Sequence, residues 1–295
     1  MSYTYANQSI QPDIAPELLT ALPIAMPPFV RHMGQVASKE GLGPALLQTF
    51  HHAGIELDVE GSFPDTGGLL IVSGHSQRVE PLLSVAALSA GRGEQRNSIV
   101  AMPTSLSARI LQASGEVGIR QVLPVMPRKY ASDRPLSGIR DRYRRSRWPG
   151  LYDLPTDTII TINHATLSLA SNRISDGEAV TMCPSGATAQ SDTSKWLRGI
   201  GDVIKGLTPE AMDQTHIVAL QAGKLSTSRM LGTLIGHDVG FRLPGGNLRI
   251  HVRIADLGSP NGLLRGLPAG AYSSDAQCIA DEAHRRYVQA LRLYK

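Results

Sequence analysis

Leu69-Leu70-Ile71-Val72-Ser73-Gly74-His75-Ser76-Gln77-Arg78-Val79-Glu80-Pro81-Leu82-Leu83 is the stretch on which the reading of this chain turns. An apolar run leads to a histidine, a carboxylate stands five positions later, and a proline opens the next apolar segment. Leu69 to Val72 reads as a short buried strand bounded by turn-forming residues. Pro81 suits the first turn of a helix, where its missing N–H costs no hydrogen bond. His75 therefore falls on a strand-to-helix connection and Glu80 at the helix start. The positive end of the helix dipole favours an ionised Glu80, able to orient a nearby imidazole. A histidine held this way has the form of a general base. The plainer alternative is a structural His–Glu hydrogen bond.

Working outward, residues 1–30 carry prolines at 12, 16, 23, 27 and 28 and read as an irregular arm around a short helix near Glu17–Leu22. Phe29 to Ala53 is predicted helical, split by Gly41-Leu42-Gly43-Pro44. Ile55, Leu57 and Val59 alternate with Glu56, Asp58 and Glu60, the pattern of a half-exposed strand. After a turn at 64–68 come strand 69–72 and the helix from Pro81. Further strands are predicted at Ser98–Ala101, Gln121–Val125, Thr158–Ile162, Ala179–Cys183, Ile217–Gln221 and Leu248–Ile254. Helices are predicted at Thr104–Ser114, Leu167–Arg173 and Trp196–Lys205. A last amphipathic helix spans about 275–293, with Ser274 as N-cap. Strands alternating with helices imply an α/β fold, a mixed and mostly parallel sheet flanked by helices. We divide the chain into an N-terminal arm and helical segment (1–54) and an α/β domain (55–295), with a basic insertion at 128–157.

The 295 residues suffice for one large core. Twenty-nine Lys and Arg against 25 Asp and Glu leave a net charge of +4, mildly basic and no nucleic-acid signature by itself. The two cysteines, Cys183 and Cys278, are too few for a disulfide framework or zinc cluster and fit a reducing compartment. No secretory leader is expected from the opening residues. No apolar run approaches the roughly 20 residues of a membrane-spanning helix. The expected location is cytoplasmic, with attachment to a membrane surface left open.

The 74–83 segment resembles the first signature block of the glycerophospholipid acyltransferase family, N-H-x-x-x-x-D followed by proline and an apolar helix. The spacing and Pro81-Leu82-Leu83 are kept, Glu80 stands for the aspartate, and Gly74 for the asparagine. Gly61 after Ile55–Glu60 mirrors the family's lead-in to that block. Val122-Leu123-Pro124-Val125-Met126-Pro127-Arg128 is similar to a degraded second block, whose arginine binds the acceptor's phosphate. Gly177 to Thr188 is similar to the third block, G-x-x-x-x-x-F-P-E-G-T-R: Pro184 and Gly186 match, Ser185 replaces the glutamate, and Thr188 stands where the arginine would be. Ile217-Val218-Ala219-Leu220-Gln221 resembles the fourth block, I-V-P-V, without its proline.

The resemblance implies transfer of an acyl group from a coenzyme A or acyl carrier protein thioester, these being co-substrates with no separate cofactor or metal. His75 and Glu80 would be the catalytic pair. Arg128, Ser185, Gly186 and Ser76 would bind substrate. Because the histidine block is largely intact and the acceptor blocks are rewritten, the expected acceptor is a lysolipid-like or specialised-metabolite hydroxyl or amine rather than glycerol 3-phosphate. Two alternatives stay open: a thioesterase or esterase that uses water, and a non-catalytic acyl- or lipid-binding protein. Ser185 as a nucleophile lacks the G-x-S-x-G elbow. Residues 128–147 hold eight basic side chains against Asp133 and Asp141. They read as a solvated face, or as a contact for an anionic membrane, coenzyme A phosphates or an acidic carrier protein. Few aromatics accompany them, so no nucleic acid is expected.

Overall fold

The computed structural model describes residues 28–74, 79–93, 96–102, 105–113, 115–135, 138–139, 142, 146, 152–185, 196–223, 229–230, 232–234, 248–267 and 275–292. Its centre is a seven-stranded sheet in the order β1-β7-β6-β2-β5-β3-β4. The strands are β1 (Ile55–Glu60), β2 (Leu69–Ser73), β3 (Asn97–Ala101), β4 (Val122–Pro124), β5 (Ala179–Met182), β6 (His216–Ala222) and β7 (Leu248–Asp256). Only β6 and β7 pair antiparallel; β6, β2, β5, β3 and β4 all run one way. The sheet is mixed and mostly parallel, in an α/β arrangement.

Strand periodicity sorts the core into two layers. On β2, Leu69 and Ile71 face one side, with Val218 and Leu220 of β6. Leu70 and Val72 face the other, with Ile217 and Ala219. Both faces are covered, which is why β2 is buried at every position. The first face carries helices α1 (Pro28–Glu40), α2 (Leu42–His52), α3 (Glu80–Arg92) and α4 (Leu106–Ala113), followed by α5 (Glu116–Gln121). The second carries α6 (Thr156–Ser175), α7 (Gly199–Lys205), the single turn α8 (Ala211–Gln214), α9 (Pro260–Arg265) and α10 (Ala276–Arg292). A small third cluster, Met126, Tyr130, Ala131, Tyr152 and Ile159, closes the sheet beyond β4 and holds the ends of the basic insertion together. Gly61 ends β1 at φ 89°, where a side chain would collide with the Ile254 carbonyl oxygen.

Several expectations are corrected. Thr158–Ile162 is not a strand but the second turn of the 20-residue helix α6, which also absorbs Leu167–Arg173. Its β-branched run suggested a strand, yet Ile159, Ile162, Thr166, Ala170 and Ile174 are buried at three- and four-residue spacing, one helical face. The break between α1 and α2 falls at Gly41 alone, because Gly43 and Pro44 lie in the first turn of α2, where proline is tolerated. The Gln121–Val125 strand shrinks to three residues, with Gln121 ending α5. At the start of α10 the cap is Asp275, whose Oδ1 accepts from the Gln277 amide at 2.8 Å. Ser274 and the arm at 1–27 lie outside the described residues.

Helix α10 is locked to the domain by a charge cluster. The buried Glu282 carboxylate accepts two hydrogen bonds from Arg285 at 2.7 Å and one from Arg286 at 2.9 Å. Arg286 also donates to the carbonyls of Leu257 and Gly262, stapling α10 to the β7–α9 connection and to α9 itself. The Arg285 hydrogen bonds, helped by the one from Arg286, hold the Glu282 carboxyl below its ordinary value against the opposing effect of burial. A folded-state value below the unfolded one stabilises the fold at neutral pH, and that stabilisation is lost as pH falls. The melting temperature is therefore expected to drop from about pH 5 downward, less steeply in Glu282→Gln, which already lacks the charge. Parallel acid-dependent slopes for the two proteins would remove Glu282 from this account.

Candidate functional site at the sheet's carboxyl edge

Strands β2 and β5 are hydrogen-bonded neighbours, in register from Leu69–Ala179 to Val72–Met182. Yet β2 leads into α3 on the first face, and β5 leads into α7 on the second. Adjacent parallel strands whose connections leave to opposite faces open a gap beyond their carboxyl ends, where α/β proteins place their ligands. Gly74 and Val79, at the two ends of the connection, and Cys183 to Ser185 lie there.

Glu80 is the first residue of α3 and is only 1% exposed, unusual burial for a carboxylate. Its negative charge acts on two neighbours, Cys183 and Tyr287. Burial pushes the Cys183 thiol well above the ordinary range, and Glu80 adds to the rise. A thiol so disfavoured as thiolate is a poor nucleophile. Cys183 is therefore expected to resist iodoacetamide at pH 8 in the folded protein and to react on unfolding, as read by intact mass. Rapid alkylation of the native protein would contradict this reading.

Tyr287 of α10 reaches the site across the fold. Its hydroxyl accepts a hydrogen bond from the Gly74 amide at 3.0 Å. Burial pushes its own ionisation up to about 12, opposed by the Gly74 hydrogen bond and reinforced by Cys183 and Glu80. Its ring packs 5.1 Å from that of Trp196, which also lies 5.1 Å from His284. Two residues beyond Cys183, Ser185 is 3% exposed, and its Oγ makes no hydrogen bond among the described residues. The Pro184 carbonyl accepts from the Leu197 amide at 2.9 Å, holding that end of the connection to α7.

Below the first turn of α3 lies a closed ring of polar groups. Asn97 Nδ2 faces Ser84 Oγ at 3.5 Å, Ser84 Oγ meets Thr181 Oγ1 at 2.8 Å, and Thr181 donates to Asn97 Oδ1 at 2.9 Å. All three residues are at most 2% exposed. The ring ties α3 to β5 and β3 just beneath Glu80. Ser84 also reaches the Pro81 carbonyl at 2.8 Å.

The structure thus brings Glu80 and Ser185 to one switch point. Arg128 is not among them. It is exposed, in a 3-10 turn (Arg128–Tyr130) after β4, three strands along the same edge from β2, on the order of 14 Å by strand spacing. Asn163 fixes the approach to that turn by bonding both the amide and the carbonyl of Met126 at 2.8 Å. His75, Ser76 and Gly186 lie outside the described residues, as do Arg140, Arg144, Arg145 and Arg147 of the basic segment. Tyr287 was not found from the sequence: it sits 213 positions from Gly74, and on an amphipathic helix nothing local separates it from an ordinary packing aromatic.

Among the described residues, no group of three or more His, Cys, Asp or Glu side chains is placed to hold a metal ion. No described helix is long and apolar enough to cross a membrane. Together the fold and site define an α/β protein with its candidate centre at a topological switch point. Comparison with models of known protein families and with curated proteins gives no match.

Proposed function

We propose that the protein is an acyltransferase. It moves an acyl group from an acyl-CoA or acyl carrier protein thioester to a hydroxyl or amine of a lysolipid-like or specialised-metabolite acceptor. One observation carries the reading: the carboxylate that the H-x-x-x-x-E block supplies, Glu80, is buried at the head of α3, at the switch point of the sheet.

In this mechanism neutral His75 takes the proton of the acceptor O–H or N–H as the oxygen or nitrogen attacks the thioester carbonyl. Glu80 accepts from the other ring nitrogen, fixes the tautomer and stabilises the imidazolium. Collapse of the tetrahedral intermediate breaks the C–S bond, and the imidazolium proton goes to the departing sulfur. Backbone amides near Ser185 and Gly186 are the candidate oxyanion donors. The buried Ser185 hydroxyl is assigned to the acceptor, and Arg128, exposed three strands away, is left out of the centre. No cofactor is needed for this chemistry. The site of action is the cytoplasm or its membrane surface, where the basic segment would give salt-sensitive attachment.

The test is thiol release by the purified protein across acyl-CoA and acyl carrier protein donors, with mass spectrometry of products from a mixed pool of lipid and small-molecule acceptors. Acceptor-dependent release with an acylated product is expected. Release that ignores added acceptors would make the protein a thioesterase. Tight thioester binding without turnover would make it a binding protein. Efficient acylation of glycerol 3-phosphate would refute the rewritten-acceptor reading.

A further inference from the structure

We propose that Tyr287 is a positioning residue for the histidine connection: its hydroxyl holds the backbone of Gly74, the residue that immediately precedes His75. The catalytic consequence rests on the acyl-transfer reading; the contact itself rests on geometry.

Three observations converge. The Gly74 amide donates to Tyr287 Oη at 3.0 Å, so the first residue of the connection after β2 is tied to a helix that begins 202 positions later in the chain. A Cβ built on Gly74 would stand 3.1 Å from the same oxygen, closer than ordinary packing. Glycine at 74 and tyrosine at 287 are therefore matched, the hydroxyl crowding a side chain at 74 so that one of the two must give by a few tenths of an ångström. Finally, the Tyr287 ring packs on Trp196, and Gln277 of the same helix donates to the Trp196 carbonyl at 2.9 Å. Helix α10 thus grips the chain on both sides of the switch point, at 74 and at 196.

The other end of the connection is fixed independently. Glu80 is buried at the head of α3, and the Ser84–Thr181–Asn97 ring anchors that turn to the sheet. With Gly74 pinned by Tyr287, both ends of the segment carrying the base are set by the fold. Consecutive Cα atoms are only ~3.8 Å apart, so a shift of Gly74 passes directly to His75. Misplacement of a catalytic group by about 1 Å is enough to cost a large factor in rate.

Tyr287→Phe keeps the ring on Trp196 and removes only the acceptor oxygen. The expected result is a loss of about tenfold in kcat for thiol release with KM changed less than twofold, the scale of one net hydrogen bond. Hydrogen exchange at the Gly74 amide, followed by NMR, should accelerate in the same variant. Gly74→Ala should cost more in the wild-type background than in Tyr287→Phe, where the hydroxyl no longer opposes the new methyl. Unchanged Gly74 exchange in Tyr287→Phe, or additive effects of the two substitutions, would overturn the proposal. A wild-type protein that releases no thiol would refute the acyl-transfer reading, and Gly74 exchange alone would then decide whether Tyr287 anchors the connection.

Discussion

His75→Ala is expected to lower acceptor-dependent thiol release by about 10²–10⁴-fold, the usual contribution of a positioned general base. The loss should appear in kcat and in kcat/KM alike, because proton removal belongs to the transition state rather than to donor binding. Glu80→Gln gives the companion measurement. Glu80 is 1% exposed, so an isosteric amide leaves no cavity and isolates the charge. It should cost less than His75→Ala, since the imidazole remains but loses the carboxylate that orients it. Glu80→Asp tests reach: the side chain is shorter by one C–C bond, ~1.5 Å, and the start of α3 cannot move to compensate while its first turn is held to the sheet. Partial activity in Glu80→Asp, above that of Glu80→Gln, would identify charge as the main contribution of this residue. Turnover unchanged in His75→Ala would remove the histidine from the mechanism and leave Glu80 as a structural carboxylate.

The legible part of this fold was the part specified twice. Leu69–Ser73 is apolar on both faces and ends at turn residues, and Pro81 marks the helix that follows; composition and chain direction agree. The same holds for β6, β7 and α10. Where local preference and tertiary context disagree, the sequence misleads. Thr158-Ile159-Ile160-Thr161-Ile162 has the β-branched content of a strand, but its buried positions follow a helical spacing set by the second layer of the sheet. The six residues of α5 are too few to display a period at all. The site divides along the same line. Glu80 and Ser185 were visible because each sits a fixed few residues from a strand end, and the strands β2 and β5 are neighbours. Arg128 also follows a strand, but β4 lies at the sheet's border, so a similar sequence signal led to a different place. Tyr287 and the Asn97–Ser84–Thr181 ring are products of packing between distant segments, and single residues of ordinary type carry no mark of it.

That ring supports the second large effect. Thr181→Val conserves volume and β-branching on a buried strand, so it changes almost nothing but one hydroxyl. Thr181 donates to Asn97 Oδ1 at 2.9 Å, and with valine there this buried carbonyl oxygen loses its donor. Ser84 still has the Pro81 carbonyl as a partner, which confines the damage to Asn97. Leaving a buried acceptor unsatisfied costs about 1–3 kcal/mol, and breaking a closed, mutually polarised ring places this case toward the upper half, about 2–3 kcal/mol. The melting temperature should fall by roughly 3–5 °C for a chain of this size. The decisive comparison is the double variant Thr181→Val, Asn97→Leu. Removing both partners replaces an orphaned amide with apolar contact on a face already lined by Leu82, Leu83 and Ile99. The double variant should therefore be more stable than Thr181→Val alone, a non-additivity that only a broken polar contact produces. Additive losses in thermal melts would mean that the three side chains contribute through packing volume, and the head of α3 would owe its placement to apolar contacts instead.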